Sequence, residues 1–320
     1  MKDMTKCQYK YKHIKKKKCP HEALDGKNVC YWHEERNNKD PEEELQSEDF
    51  KDLDLTEANL QEAFLVGVNF QRANLYLANL QEAFLDLANL QEAFLAFADF
   101  QRAHLCGANL QEANLHLANL QEANLYLVKF DDSNLWQAKL DEIVTSEREE
   151  SYDEASQIYR NLKNYFRNEG IYEKSGHYYY REKVVEKKIY RQKNKGKYFG
   201  SLLLDLLCGY GEKPGRIIYS ALTVIIISAI LYYGVGIEAY VIEGSSFQVV
   251  KISYSSQFTV HENLENLVTC SYFSVVTFTT LGYGDFHPVG ASRTIAMVEA
   301  FMGVFMLALF VLTMGRKMMR

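Results

Sequence analysis

The sequence predicts a multidomain membrane protein in which a β-helical solenoid, an α-helical hairpin and an all-α membrane-spanning domain follow one another along 320 residues. Three patterns indicate this class. Leucine or phenylalanine recurs at every fifth position from Leu55 to Leu140, a helical period governs Glu147 to Lys195, and two long apolar stretches lie in the last third. We therefore divide the chain into residues 1–50, 51–142, 143–200 and 201–320.

The five-residue period fits neither an α-helix nor a β-strand. Successive leucines would drift by about 140° around a helix, and they would alternate between the two faces of a strand. A coil whose sides are each five residues long directs all of them to one axis. A small residue, most often alanine, lies two positions before each leucine or phenylalanine from Leu60 onwards. These small side chains are expected to fill the space beside the central leucines.

Units such as Ala58-Asn59-Leu60-Gln61-Glu62 resemble pentapeptide repeats, A(N/D)LxX. The resemblance implies a right-handed quadrilateral β-helix of about four coils, stacked at about 4.8 Å. Residues 51–140 contain twelve acidic and five basic side chains. An acidic mimic of DNA and a passive assembly scaffold or spacer both fit this surface, and attachment to a membrane domain favours the scaffold. The net charge of −6 argues against nucleic acid as a general partner.

Apolar residues from Ala155 to Phe166 recur at intervals of three and four, Gly170 interrupts the pattern, and Tyr172 to Arg191 resumes it. This pattern predicts an αα-hairpin similar to one tetratricopeptide-like unit. A single unit cannot bury its own apolar face, so it is expected to pack on the end of the solenoid, on a neighbouring subunit or beneath the membrane. The leucines from Leu202 to Leu207 predict an interfacial helix along the inner leaflet.

Two apolar stretches are each long enough to cross a bilayer. Ile217 to Ile237 has no charge, Thr294 to Met314 has only Glu299, and each would span roughly 31 Å as a helix. Between them, Leu267 to Thr279 is apolar and rich in serine and threonine, but it is too short to cross. We expect it to form a re-entrant pore helix.

The segment that follows, Thr280-Leu281-Gly282-Tyr283-Gly284, suits a row of backbone carbonyls that coordinates a cation. Such a row needs alternating backbone conformations, which Gly282 and Gly284 tolerate. The segment resembles the selectivity filter of potassium channels, Thr-Val-Gly-Tyr-Gly, although Leu281 departs from the usual valine or isoleucine. The order span, pore helix, filter, span resembles the two-transmembrane potassium-channel architecture over about 216–320.

The resemblance implies a homotetramer that conducts K⁺, because four copies of the filter must surround one pore. Thr279, Asp285 and Glu299 are expected to support the filter, Asp285 at its outer mouth and Glu299 from behind. Gly303 is either a gating hinge or a small residue that permits close helix packing.

Basic residues flank both apolar stretches on one side, between Arg181 and Arg216 and again at Arg316, Lys317 and Arg320. The positive-inside rule therefore predicts a multi-pass protein of the cell membrane with both termini in the cytoplasm. We expect an unidentified cytoplasmic regulator to act through the hairpin and the first span.

The N-terminal segment has cysteine and histidine at spacings that suit a tetrahedral zinc site. The candidate ligands are Cys7, Cys19, Cys30 and His33, with His21 as a substitute. A lysine-rich tail with incidental cysteines is the alternative.

The chain has no recognisable constellation of catalytic residues, and we expect it not to be an enzyme. Three functions remain open: a potassium-selective channel, a weakly selective cation channel, and a membrane anchor that displays the solenoid as a scaffold.

Overall fold

A computed structural model describes residues 50–243 and 246–318. The chain divides into two compact units, Met1–Lys193 and Asn194–Arg320. The proposed zinc ligands Cys7, Cys19, Cys30 and His33 lie outside the described residues. Each unit is described by itself below.

The first unit is built on a solenoid in which each residue lies one coil below the residue twenty positions later. Parallel bridges join Asp54 to Asn74, Asn59 to Asn79 and so on through Asn119 to Lys139. Backbone hydrogen bonds connect the coils: the Leu55 amide donates to the Asn74 carbonyl at 2.7 Å. Twenty residues per coil are four sides of five, which confirms the predicted repeat β-helix.

The centre of the solenoid is filled as the sequence predicts. The recurring leucines and phenylalanines from Leu55 to Leu135 and the alanines two positions before them are almost completely buried. Asparagines outside this core form ladders between coils, for example from Asn109 through Asn89 to Asn69. The side-chain oxygen of Asn89 also accepts from the backbone amide of Gln91 at 3.2 Å. The repeated asparagine therefore fixes both the local turn and the stacking of the coils.

One corner residue in every pentapeptide has a positive φ, which the sequence analysis did not predict. These residues include glutamates, leucines and arginines, such as Glu62 at +57° and Leu87 at +60°. The amide of each corner residue from Asp52 to Glu112 donates to the next coil, as in the bond from Glu62 to Gln81 at 2.8 Å. These hydrogen bonds hold a left-handed conformation that residues with a Cβ ordinarily avoid.

Three helices follow the solenoid: α1 (Thr145–Arg148), α2 (Tyr152–Asn168) and α3 (Tyr172–Lys193). The pair α2 and α3 packs on the end of the solenoid, the first of the three arrangements that the sequence left open. The Tyr165 hydroxyl accepts from the Leu135 amide at 3.0 Å and donates to the Ser133 carbonyl at 2.9 Å. Solenoid and hairpin share one continuous apolar core, so the helices cap the open end of the β-helix.

Two buried glutamates stabilise this cap. Glu147 accepts hydrogen bonds from Tyr159 at 2.6 Å, Arg181 at 2.5 Å and Lys188 at 3.1 Å. Burial would raise the pKa of the Glu147 carboxyl, but these hydrogen bonds outweigh it and hold the pKa below its ordinary value. The pKa of Glu182 is lowered in the same way: burial opposes the shift, and Lys163 and Arg160 outweigh it.

The second unit begins with α4 (Lys195–Cys208), so the final residues of the predicted hairpin segment, 143–200, belong to a different helix. The Asn194 side chain caps its first turn by accepting from the Lys197 amide at 3.0 Å. Leu203 and Leu206 of α4 are exposed. This exposed apolar surface is the one that the predicted interfacial helix requires.

Two helices of this unit, α5 (Pro214–Val235) and α7 (Ser292–Met318), are long and apolar enough to cross a membrane. Only 22% and 17% of their most apolar windows are buried within the chain, unlike the core helices of a soluble protein. The helix α5 begins three residues before the predicted stretch, Ile217 to Ile237, and ends two residues before the end of that stretch. It ends there because Gly236 turns the chain into a strand.

The helix between them, α6 (Val260–Phe278), begins seven residues before the predicted pore helix. Its start is fixed by a capping box in which Thr259 and Glu262 bond each other's backbone amides at 3.3 and 2.7 Å. The sequence prediction missed this start because the first two turns are polar and the search followed apolar residues.

The second unit also contains a three-stranded antiparallel sheet, which the sequence analysis did not predict. Two of its strands precede α6 in the chain and the third follows it. It consists of β1 (Ile237–Glu243), β2 (Ser246–Ile252) and β3 (Phe286–Pro288), in the order β2-β1-β3. The strand β3 begins two residues after Gly284. The chain therefore enters the sheet almost directly from the candidate filter.

Candidate ion-conduction site

The candidate filter begins where α6 ends. Thr279 caps the helix, and its hydroxyl donates to the Val275 carbonyl at 2.7 Å. The Thr280 and Leu281 amides then donate to the carbonyls of Thr277 and Val276, both at 3.0 Å. Thr279, predicted as a support residue, thus joins the helix to the filter.

The backbone alternates through the filter. Thr280, Gly282 and Gly284 have φ of +56°, +54° and +78°, whereas Leu281 and Tyr283 between them lie outside this positive region. Glycine adopts such angles readily, but a β-branched threonine does not. Among the described residues, no backbone amide outside the helices and strands donates to the carbonyl oxygens of Thr280 to Gly284. Those oxygens are left without the backbone partners that carbonyls ordinarily have.

The predicted support residue Glu299 is buried where α5, α6 and α7 meet, with 1% of its surface exposed. Its carboxylate accepts from the Tyr232 hydroxyl of α5 at 2.7 Å and from the Ser274 hydroxyl of α6. Tyr232 is itself fully buried and packs edge-on against Phe273, with ring centroids 4.9 Å apart. Glu299 therefore connects the two apolar helices to the helix that leads into the filter.

Gly303 lies on α7 against the last residue of α6. A Cβ at this position would overlap the backbone carbonyl of Phe278. The close approach of the two backbones requires glycine here, which is the packing role that the sequence left open beside a hinge.

Asp285 is exposed at the end of the filter, and its carboxylate interacts with the Tyr272 hydroxyl of α6. The next residue, Phe286, starts β3 and packs its ring edge-on against Tyr272 at 5.9 Å. The C-terminal end of the candidate filter is thus held against the same helix that leads into it.

The filter side chains have almost no packing within a single chain. Leu281 and Tyr283 are 59% and 66% exposed. A side chain added at Gly282 or Gly284 would meet no atom within 4 Å. The side chains of the candidate filter are therefore mostly exposed in the single chain.

Two family models match parts of the chain. An ion-channel family model matches residues 221–320. A pentapeptide-repeat model matches eight copies over residues 49–92 and 98–137. The chain is an ion-channel domain fused to a pentapeptide-repeat domain. No curated protein matches it.

Several solved structures of pentapeptide-repeat proteins are similar to part of the chain. HetL, from the cyanobacterium Nostoc sp. strain PCC 7120, is 29% identical over 29% of this chain and 57% of its own, with a TM-score of 0.19. A pentapeptide-repeat protein of the Arabidopsis thaliana thylakoid lumen is 30% identical over 32% of this chain and 69% of its own, also with a TM-score of 0.19. The fusion thus spans less than two thirds of HetL, and the repeat assignment rests on the family model and the coils described above.

Sequence reasoning missed the partners of Glu299, because Tyr232 and Ser274 lie in apolar helices without any motif. A polar residue in each of three apolar helices is the signal that identifies such a cluster. In residues 50–243 and 246–318 there is no group of three histidine, cysteine or acidic side chains that could hold a metal.

Proposed function

We propose that the chain is one subunit of a potassium-selective channel, in which four copies surround a single pore and K⁺ is the conducted ion. The observation that carries this proposal is the positive φ at every second residue from Thr280 to Gly284. Such alternation turns successive carbonyls towards one side, where they replace the hydration shell of a cation. Thr280 to Gly284 supply these ligands, with Thr279, Asp285 and Glu299 in support.

The exposed filter supports assembly into a tetramer. Tyr283 and Leu281 have no packed wall in one chain, and neighbouring copies would supply it. The membrane is the surrounding medium for the exposed apolar faces of α5 and α7. Basic residues before α5 and at the C-terminal end of α7 favour cytoplasmic termini and an extracellular filter mouth. In this topology α6 is re-entrant.

A weakly selective cation channel is the second candidate, because Leu281 stands where valine or isoleucine is usual. The Tyr283 ring and the two flanking glycines favour the selective channel. With either function, the solenoid acts as a scaffold. Together with its helical cap it presents a surface for assembly or for an unidentified cytoplasmic regulator. A zinc site in residues 1–50 remains a hypothesis.

Reconstitution in liposomes with a K⁺ gradient, followed by substitution of Na⁺, tests the proposal. The parent tetramer is expected to pass K⁺ in preference to Na⁺. Gly284→Ala places a Cβ at φ +78° and costs about 1–2 kcal/mol in each subunit, so we expect tetramers that no longer conduct K⁺. Tyr283→Phe retains the ring and is expected to weaken selectivity more than assembly.

Gly290→Ala is the matched control. Gly290 has φ +55° and, like Gly284, no atom within 4 Å of an added Cβ, but it lies outside the filter. The control is expected to conduct like the parent. If Gly284→Ala tetramers also conduct K⁺ like the parent, the segment is not the filter and the proposal fails.

A further inference from the structure

We propose that Phe286 is a positioning residue that fixes the outer end of the filter through the sheet β2-β1-β3. This inference rests on the proposed channel function. Only Asp285 separates Gly284 from Phe286, the first residue of β3. The short connection gives the sheet direct control over the position of the last filter carbonyls.

The sheet is itself fixed to the first apolar helix. Gly236 alone separates α5 from β1, and its φ of +98° sets the turn. The next residue, Ile237, is fully buried and pairs with Pro288 of β3 on one side and Ile252 of β2 on the other. The position of β3 is therefore set by α5 through two residues of backbone.

Phe286 also connects β3 to α6. It pairs with Ala239 of β1, and its ring packs edge-on against Tyr272 of α6 at 5.9 Å. The same ring contacts a small apolar core that contains Tyr232 and Ile237. The inner end of the filter is held by α6 and its outer end by β3, and Tyr232 contributes to both supports.

The filter depends on these two supports because its largest side chains, Leu281 and Tyr283, are 59% and 66% exposed in a single chain. Preorganised sites need their ligands held within about 0.5 Å of the productive geometry. Without the Phe286 ring, β3 is held in place only by the pairing of its three residues with β1. We therefore expect the discrimination between K⁺ and Na⁺ to fall while the helices and the tetramer persist.

The test is Phe286→Ala in reconstituted tetramers verified by size. The permeability ratio of K⁺ to Na⁺ is expected to fall about tenfold, which corresponds to about 1.4 kcal/mol between the two ions. Phe286→Leu retains an apolar contact and is expected to recover most of the ratio. Val250→Ala is the control, because Val250 pairs with the same residue, Ala239, from the strand that does not lead to the filter.

A cross-link provides a second test. Glu238 and His287 are directly opposite in the ladder, at a Cα separation of about 4.5–5.5 Å that permits a disulfide. In Phe286→Ala channels that also carry Glu238→Cys and His287→Cys, oxidation is expected to restore the permeability ratio. Reduction of the assembled tetramers with dithiothreitol is expected to lower it again, and this comparison applies even where Phe286→Ala alone does not assemble.

The outcomes separate this inference from the proposed function. If the parent tetramer passes no K⁺, the channel proposal fails and the inference fails with it. If the parent is selective and Phe286→Ala tetramers retain its ratio, only the positioning role is overturned. A ratio that is the same before and after reduction of the cross-linked tetramers overturns it as well.

Discussion

Glu147→Gln is expected to loosen the helical cap of the solenoid by about 3 kcal/mol. The Glu147 side chain is 4% exposed, and its partner Arg181 is 17% exposed. Removal of one member of a buried ion pair costs about 3–5 kcal/mol, because the other charge stays buried without compensation. The Nε atom of Arg181 already has no hydrogen-bond partner among the described residues. We take the lower limit because glutamine can still accept from Tyr159.

Amide hydrogen exchange of α2 and α3 in the full-length protein measures the effect. A loss of about 3 kcal/mol accelerates exchange through cap opening about 100-fold. Asp153→Asn is the control: Asp153 pairs with Lys193 at 3.1 Å, but both side chains are mostly exposed, and such pairs contribute about 0–1 kcal/mol. Equal exchange rates in the two variants would refute the reasoning.

The same pair has a pH signature with a definite sign. The pKa of Glu147 is lowered in the folded protein, so its contribution is fully present above the ordinary value of 4.5 and decreases as the pH falls below it. Glu182 has the same sign. The protection factors of the α2 and α3 amides, which are corrected for the pH dependence of intrinsic exchange, should therefore fall on acidification below about pH 4.5, and less so in Glu147→Gln. An equal acid response in parent and variant would exclude Glu147 as its source.

Three further predictions concern other parts of the chain. Gly303→Ala should reduce channel assembly and flux, because the added Cβ overlaps the Phe278 carbonyl. Gly315→Ala on the same helix is the control: its added Cβ meets no atom within 4 Å, and it should be neutral in the same flux assay. Deletion of residues 1–193 should leave the ion selectivity of assembled tetramers unchanged, as measured by liposome flux. The deletion includes the hairpin because removal of the solenoid alone would expose the apolar core of the hairpin. Elemental analysis after zinc repletion should find one zinc per chain, and its absence would remove the zinc hypothesis.

Periodic features of this chain could be predicted from the sequence, because each repeat reports the same local environment. The five-residue period predicted the coil and its buried leucines, and the Gly-Tyr-Gly segment predicted a backbone that alternates at Gly282 and Gly284. Junctions could not be predicted in this way. The docking of α2 on the solenoid depends on single hydroxyls, such as that of Tyr165, and no pattern marks them.

The three-stranded sheet was missed for a related reason. The strand β3 has only three residues and ends in proline, so it has no alternation to detect. Its register is set by pairing with β1. For example, Phe286 pairs with Ala239, which lies 47 residues earlier in the chain. The pairing partner, not the local sequence, determines that this segment is a strand.

Positive φ has two different meanings in this chain. Corner residues such as Glu62 adopt it in every pentapeptide, and from Asp52 to Glu112 a hydrogen bond to the next coil compensates each one. A positive φ alone is therefore no sign of function here. Thr280 differs because it is β-branched, it lies outside the repeats, and its amide donates to the Thr277 carbonyl at the end of α6. A glycine would adopt φ +56° with less strain, whereas the threonine adds a hydroxyl, which donates to the Thr279 carbonyl at 2.7 Å. In the proposed channel, the oxygen of this hydroxyl and the Thr280 carbonyl are the innermost ligands of the filter.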